Sequence, residues 1–172
     1  MTQPYFERVL LVLGDPNTGK SVQLRSMFQH PRLGGTIPTS RNIVTTYPLS
    51  QGRSLYLRLT SPHEMGESLQ DFFNKIFAKA TSGRWCVAVP IQISATATMP
   101  DPPSVVSAIE TQLAPERIRV CILSPDYNGN VLPTLMQLTD SLWQTPSCEV
   151  LTIDARDRQR NGFLLADTFD FG

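Results

Sequence analysis

The chain reads Gly14-Asp15-Pro16-Asn17-Thr18-Gly19-Lys20-Ser21 between a run at residues 8–13 that is continuously apolar from Val9 and apolar positions that recur at helical spacing from residue 22. The run predicts a strand buried on both faces, and the spacing predicts an amphipathic helix. The eight residues match the pattern Gly-x-x-x-x-Gly-Lys-Ser/Thr in its expected strand-to-helix context. The glycines allow a tight turn whose N–H groups point inward, so this stretch predicts a site for phosphate groups.

Each part of this loop has a role in such a site. Lys20 supplies a mobile cation to the terminal phosphates, and the Ser21 hydroxyl is a ligand for Mg²⁺, which bridges them. Backbone amides complete the predicted contacts, so the expected nucleotide-binding residues here are Gly14, Asp15, Asn17, Thr18, Gly19, Lys20, Ser21 and Val22. The expected cofactors are Mg²⁺ and a nucleotide, either GTP and GDP or ATP and ADP.

Strand and helix signals alternate along the rest of the chain. Two β-rich runs, 43–49 and 54–59, are joined by a short connection containing Gly52 and predict an antiparallel hairpin. Helices and strands then alternate in the predicted order helix 69–77, strand 85–93, helix 105–113, strand 119–123, helix 132–142 and strand 149–153. The order predicts a three-layer α/β architecture of the P-loop NTPase kind, with a six-stranded sheet that is parallel apart from the hairpin.

Composition limits the classes of partner. The 172 residues carry 15 basic and 15 acidic side chains, so no net field attracts nucleic acid or a membrane surface. Cys86 and Cys121 fall inside predicted strands, and the cysteine spacing does not suggest a zinc site. No window approaches eighteen consecutive apolar residues. We therefore expect a soluble, reduced, cytoplasmic protein.

The layout resembles the small Ras-like GTPases and the wider TRAFAC clade of bacterial GTPase domains, over nearly the whole chain as topology. The resemblance implies a Thr, in the loop before the second strand, that senses the γ-phosphate through Mg²⁺. Thr36-Ile37 fits the family's dipeptide, whereas Thr39 fits its spacing from Ser21. Both are candidate metal ligands, with Thr36 preferred, and the alternative is that they are ordinary loop hydroxyls.

The same resemblance places an Asp at the end of the third strand, where it holds Mg²⁺ through water, but this chain has Thr60 there. Pro62 also removes a backbone donor from the loop that follows. His63 and Glu64 fall where the family orients its attacking water, so each is a candidate for positioning water or acting as general base. The alternative is that both are solvated residues at the start of a helix.

The family's guanine-reading motif would fall at residues 124–127, where Asp126 is the only carboxylate. Asp126 could accept hydrogen bonds from the two donors on the edge of guanine. Ala155 lies in a loop that resembles the family's last loop, which backs the base. The alternative for Asp126 is turn chemistry, because residues 124–129 are rich in turn-forming types. Asp154 follows an apolar strand, but we reject it as a metal ligand because that strand is expected at the sheet edge.

These observations predict a nucleotide-dependent switch, with GTP favoured over ATP, slow or partner-dependent hydrolysis and a protein effector. Arg32 and Arg41 in the first switch loop are candidates for an arginine that acts in cis. The alternatives are a catalytically inactive pseudo-GTPase that works as a binding or scaffold module, an ATP-specific P-loop NTPase, or a P-loop kinase. The predicted domain covers residues 1–160, and residues 161–172 form a tail that ends in a short helix or docks on the domain or on a partner.

Overall fold

The computed structural model describes residues 3–39 and 44–171. The six strands are β1 (Tyr5–Leu13), β2 (Val44–Pro48), β3 (Arg53–Arg58), β4 (Arg84–Ile91), β5 (Arg117–Leu123) and β6 (Cys148–Ile153). The helices are α1 (Lys20–Ser26), α2 (Leu69–Lys79), α3 (Pro102–Leu113), α4 (Leu135–Leu142) and α5 (Arg158–Ala166). The predicted strand residue Ile43 and the candidate Arg41 lie outside the described residues.

Local sequence signals explain where the long helices begin. Ser68 accepts a hydrogen bond from the Asp71 amide, and the Asp71 carboxylate accepts one from the Ser68 amide, which forms a capping box for α2. Asp101 caps α3 by accepting a hydrogen bond from the Ser104 amide, with Pro102 at the first helical position. Helix α1 ends in a 3₁₀ turn, Met27–Gln29, just before Pro31.

The helices cover both faces of the sheet. Side chains of α2, α3 and α4 pack with one set of strand residues, and those of α1 and α5 pack with the other. Strand β1 is central, and Val9 to Leu13 are completely buried, as the apolar run predicts. The prediction of a three-layer α/β architecture is confirmed, and so are the mostly parallel six-stranded sheet and the antiparallel hairpin of β2 and β3.

The strand order is β2-β3-β4-β1-β5-β6. Strand β4 pairs in parallel with both β1 and β3, so it separates them. The Ras-like resemblance located Mg²⁺ between the ends of β1 and β3, and these two strands are not neighbours here. The loop of residues 14–21, which is predicted to bind phosphate and is called the phosphate loop below, has β4 beside it on that side, and Thr60, which follows β3, lies one strand further away.

The chain after residue 160 belongs to the domain. Helix α5 crosses the predicted boundary and packs on α1, and Gly162 lies so close that a Cβ there would come within 2.4 Å of the Ser26 carbonyl oxygen. Leu165 and Phe169 are completely buried. Of the alternatives for the tail, the structure shows a short helix that docks on its own domain. Within residues 3–39 and 44–171, no helix has the length and apolar character needed to cross a membrane.

Candidate functional site

The loop between β1 and α1 is a tight, self-bonded turn. Asn17 and Gly19 have positive φ angles of 61° and 97°, in the left-handed region that glycine and asparagine adopt most readily. The Thr18 hydroxyl donates a 2.6 Å hydrogen bond to the Asp15 carbonyl. A Cβ at Gly14 would lie 2.4 Å from the Thr18 Oγ1, so the first glycine is required by this close approach.

Lys20 lies across the loop. Its side chain is 5% exposed, and its Nζ donates a 2.6 Å hydrogen bond to the Asp15 carbonyl oxygen. Burial lowers the pKa of the Lys20 ammonium below its ordinary value, and the nearby Glu64 carboxylate opposes that shift. A buried ammonium held by one carbonyl and one carboxylate can exchange the carboxylate for another anion.

Glu64 supplies that carboxylate. Its Oε1 lies 3.4 Å from the Lys20 Nζ, and its side chain is 33% exposed. The predicted candidate residue after β3 therefore reaches the phosphate loop although β4 separates β3 from β1. This contact joins two sequence-predicted site residues.

His63 has a different environment. Its Nε2 lies 2.9 Å from the Pro100 carbonyl oxygen. A carbonyl oxygen can only accept, so this nitrogen carries the hydrogen and donates a hydrogen bond to it. Its Nδ1 lies 3.3 Å from the Ser61 hydroxyl, and burial lowers the pKa of the imidazole. One ring nitrogen contacts Ser61 in the same segment, and the other contacts the loop before α3, so His63 holds the loop that carries Glu64 in place. Glu64 is therefore the stronger candidate for orienting water.

The metal-ligand candidates are not brought together. Thr36 and Thr39 are exposed, and none of the hydrogen bonds among the described residues joins either to Ser21. Their segment is tied to α1 by a hydrogen bond from the Arg25 Nε to the Pro38 carbonyl, 3.1 Å long. Arg25 is four residues beyond Ser21, about 6 Å along the helix. Nothing in this geometry tests whether the two threonines bind a metal, so their role as metal ligands stays a prediction.

The donor set near the loop suits Mg²⁺ but supplies few ligands. No group of three or more His, Cys, Asp or Glu side chains in the described part of the chain could hold a metal ion. Ser21 and Val22 lie partly exposed in the first turn of α1, and the Ser21 hydroxyl and Glu64 carboxylate offer hard oxygen atoms. Mg²⁺ in nucleotide sites commonly takes one or two protein oxygens and completes its shell with phosphate and water. The residues present fit such an ion.

Asp126 serves its own loop. Its Oδ1 accepts hydrogen bonds from the backbone amides of Asn128 (2.8 Å) and Asn130 (2.9 Å), and its Oδ2 accepts one from the Asn130 side chain. Burial opposes ionisation, yet these hydrogen bonds hold the pKa of the carboxyl below its ordinary value. The structure favours the turn interpretation of Asp126, and guanine reading by this side chain has no geometric support.

Ala155 lies at the predicted corner of the site. Its amide donates to the Pro125 carbonyl, and its carbonyl accepts a 2.6 Å hydrogen bond from the Gln23 side chain. Asn161 joins the same buried network through the Gln23 Oε1 and the Asp154 carbonyl. The loops after β5 and β6 are therefore fixed to α1. Asp154 pairs with Arg156, which lowers the pKa of that carboxyl to about 2, and β6 lies at the sheet edge.

A cleft of about 360 Å³ borders the outer side of the phosphate loop. It is lined by Asp15 and Thr18 from the loop and by Asp126, Asn130 and Leu132 from the segment after β5, among others. Neither Lys20 nor Glu64 lines it. The predicted phosphate contact is the Lys20 ammonium, so we do not assign the predicted phosphate site to this cleft.

Sequence reasoning missed two residues near the loop. The register pairs Leu13 with Ile91, which brings Gln92 beside Gly14 at the end of β4. Only the strand order reveals this, since nothing local marks the end of β4 as the neighbour of β1. Arg158 lies 5.4 Å from the centre of the Tyr127 ring, a pairing between two segments thirty-one residues apart.

No protein-family model matches this chain, and no curated protein sequence matches it.

Proposed function

We propose that this chain is a P-loop nucleotide-binding protein that holds a Mg²⁺–nucleoside triphosphate on residues 14–21 and hydrolyses it slowly. The observation that carries the proposal is the environment of Lys20. Its ammonium is buried inside a loop with two positive φ angles, and its partners are one carbonyl and one partly exposed carboxylate. A negatively charged phosphate oxygen can take the place of that carboxylate.

Bound Mg²⁺ would supply charge neutralisation between the phosphates, with Ser21 as its protein ligand. Lys20 binds and orients the terminal phosphates from the opposite side. Glu64, displaced from Lys20, keeps its loop next to the γ-phosphate, where its carboxylate can orient a water molecule and accept a proton. Slow turnover is expected because the described residues near the loop supply few protein ligands for Mg²⁺.

The Glu64–Lys20 contact also supports a switch. Phosphate and Glu64 compete for the same ammonium, so the segment carrying Glu64 has two arrangements, one with and one without the terminal phosphate. A protein effector that contacts this segment would distinguish them. The proposal covers GTP and ATP alike, because Asp126 is engaged within its own loop.

Calorimetric titration with Mg²⁺–GTP and Mg²⁺–ATP tests binding, with Lys20→Ala as the decisive variant. Lys79→Ala is the matched control, because Lys79 is exposed at the end of α2. We expect Lys20→Ala to lose about tenfold or more in affinity, since charge-assisted contacts are each worth about 1.5–3 kcal/mol. Equal binding by the two variants would overturn the proposal.

Phosphate release under the same conditions tests turnover. The expected result is slow release in the wild type and none above background in Lys20→Ala. Binding that depends on Lys20, without release that depends on it, would overturn the hydrolysis step and favour the alternative of an inactive binding module. That alternative has its own support in the Lys20–Glu64 pair, in which a carboxylate of the protein already contacts the ammonium.

A further inference from the structure

Tyr127 stands at the point where the phosphate loop meets α1. Its amide donates a 3.2 Å hydrogen bond to the Thr18 carbonyl oxygen. A Cβ at Gly19 would lie 3.2 Å from the Tyr127 Cβ, so the tyrosine packs directly on the last glycine of the loop. A nucleotide held by Lys20 would extend its nucleoside past this point or away from the loop entirely.

The Tyr127 ring is open on this side of the molecule. The residue is 47% exposed although its backbone is fixed to the loop. The Arg158 guanidinium lies 5.4 Å from the ring centroid, and its Nη2 lies 3.4 Å from the Tyr127 hydroxyl. The exposed Arg158 guanidinium covers part of this aromatic face, so a flat ring system can stack on Tyr127 where Arg158 moves aside and packs on the outer face of that ring.

The neighbouring groups do not offer recognition of a base edge. Asp126 is engaged by Asn128 and Asn130, and the Ala155 carbonyl accepts from Gln23. The Asp154 carboxylate is held by Arg156. Flat faces are therefore available beside the loop, whereas the carboxylates nearby are committed to internal contacts.

We infer that Tyr127 and Arg158 bind the nucleobase by stacking on its face, so that the site accepts both purines with similar affinity. This inference rests on the proposed function, because the phosphates must be held by Lys20 for the base to reach Tyr127. Stacking tolerates different bases because each has a π-face, and a base–aromatic contact is worth about 1–3 kcal/mol.

Comparison of nucleotides with inorganic tripolyphosphate tests the inference, since tripolyphosphate has the phosphates and no base. Titrations use Mg²⁺ complexes of GTP, ATP and tripolyphosphate against the wild type, Tyr127→Ala and Tyr127→Phe. Tyr5→Ala is the matched control, because Tyr5 is 50% exposed at the amino end of β1, away from the loop. Thermal melting of each variant reports whether the fold is retained.

We expect Tyr127→Ala to weaken GTP and ATP by roughly ten- to a hundredfold and tripolyphosphate by less than about twofold. Tyr127→Phe and Tyr5→Ala retain wild-type affinities, and GTP and ATP differ by less than about tenfold. Equal weakening of tripolyphosphate and nucleotides by Tyr127→Ala would overturn the inference, because it would mean that Tyr127 acts through the loop.

Two further results would overturn it as well. One is unchanged nucleotide affinity in Tyr127→Ala, and the other is a preference of more than a hundredfold for one purine. Lys20→Ala in the same titrations separates the two proposals. If tripolyphosphate and nucleotides bind wild type and Lys20→Ala equally, or do not bind at all, the proposed function fails and this inference fails with it. If Lys20 dependence is intact and only the Tyr127 dependence is missing, stacking alone is wrong.

Discussion

Substitution of Glu64 by Gln removes the charge that competes with phosphate for Lys20 and preserves the shape of the side chain. The two charged atoms are 3.4 Å apart. Coulomb's law gives about 1.2 kcal/mol for unit charges at this distance in water and about 5 kcal/mol at an effective dielectric constant of 20. Because Glu64 is 33% exposed, solvent screening brings the expected contribution to about 1–2 kcal/mol.

This energy converts to a gain in affinity. We expect Glu64→Gln to bind Mg²⁺–tripolyphosphate about five- to thirtyfold more tightly than the wild type. The gain should shrink as salt rises, because the contact is partly exposed and salt screens it. Turnover of nucleotide should fall by about a hundredfold or more, because an amide cannot accept the proton of the attacking water.

Isothermal titration at two salt concentrations measures the first effect, and phosphate release measures the second. Glu149→Gln changes net charge equally at the amino end of β6, where Glu149 pairs with Arg119, and should leave both quantities unchanged. Unchanged or weaker tripolyphosphate binding by Glu64→Gln would refute the competition argument. Tighter binding with unchanged turnover would refute the role of Glu64 in orienting water and leave it as a competitor alone.

Three other predictions concern the fold. Burial disfavours the Glu67 carboxylate, but two hydrogen bonds from the Arg58 guanidinium hold its pKa below the ordinary value. The contribution of this carboxylate to the stability of the fold is therefore present above about pH 4.5 and is lost as pH falls through the folded pKa. Glu67→Gln should lower the free energy of unfolding at pH 7 by about 3–5 kcal/mol and flatten its acid dependence in urea titrations, and a steep remaining dependence would contradict this. Gly162→Ala should lower the melting temperature, because its methyl group would meet the Ser26 carbonyl at 2.4 Å and overpacking costs about 1–3 kcal/mol; an unchanged melting temperature would refute it. Burial raises the pKa of the three cysteines to about 11 or 12, so thiol reagents at pH 8 should label them only on unfolding.

Local chemistry made most of the secondary structure predictable. The apolar run of β1 and the capping residues of α2 and α3 are signals carried by neighbouring residues, and each element begins within a few residues of its predicted position. The tail was harder. Asn161 and Gly162 gain their packing from Gln23 and Ser26, which are more than a hundred residues away in the chain. No local pattern contains that contact.

The candidate site divides in the same way. Lys20 and its loop follow from a contiguous motif, and the structure shows the tight turn that the motif predicts. The sequence left Glu64 and His63 as two open candidates for orienting water. The choice between them depends on Pro100, whose carbonyl oxygen accepts a hydrogen bond from the His63 ring. Asp126 looked like a base reader because a carboxylate stood at the right distance along the chain. Its loop geometry shows the turn function that residues of this type also favour.

The strand order changes how the missing carboxylate after β3 should be weighed. Central parallel strands are all apolar, so their sequences do not encode which of them lies beside β1. With β4 in that place, Thr60 does not occupy the position next to the phosphate loop, and its hydroxyl says little about whether the site is active. The polar residue that follows the neighbouring strand is Gln92, and the carboxylate that reaches Lys20 is Glu64. The case for an inactive module therefore depends on what Glu64 does, and for that reason the Glu64→Gln measurement separates it from a slow hydrolase.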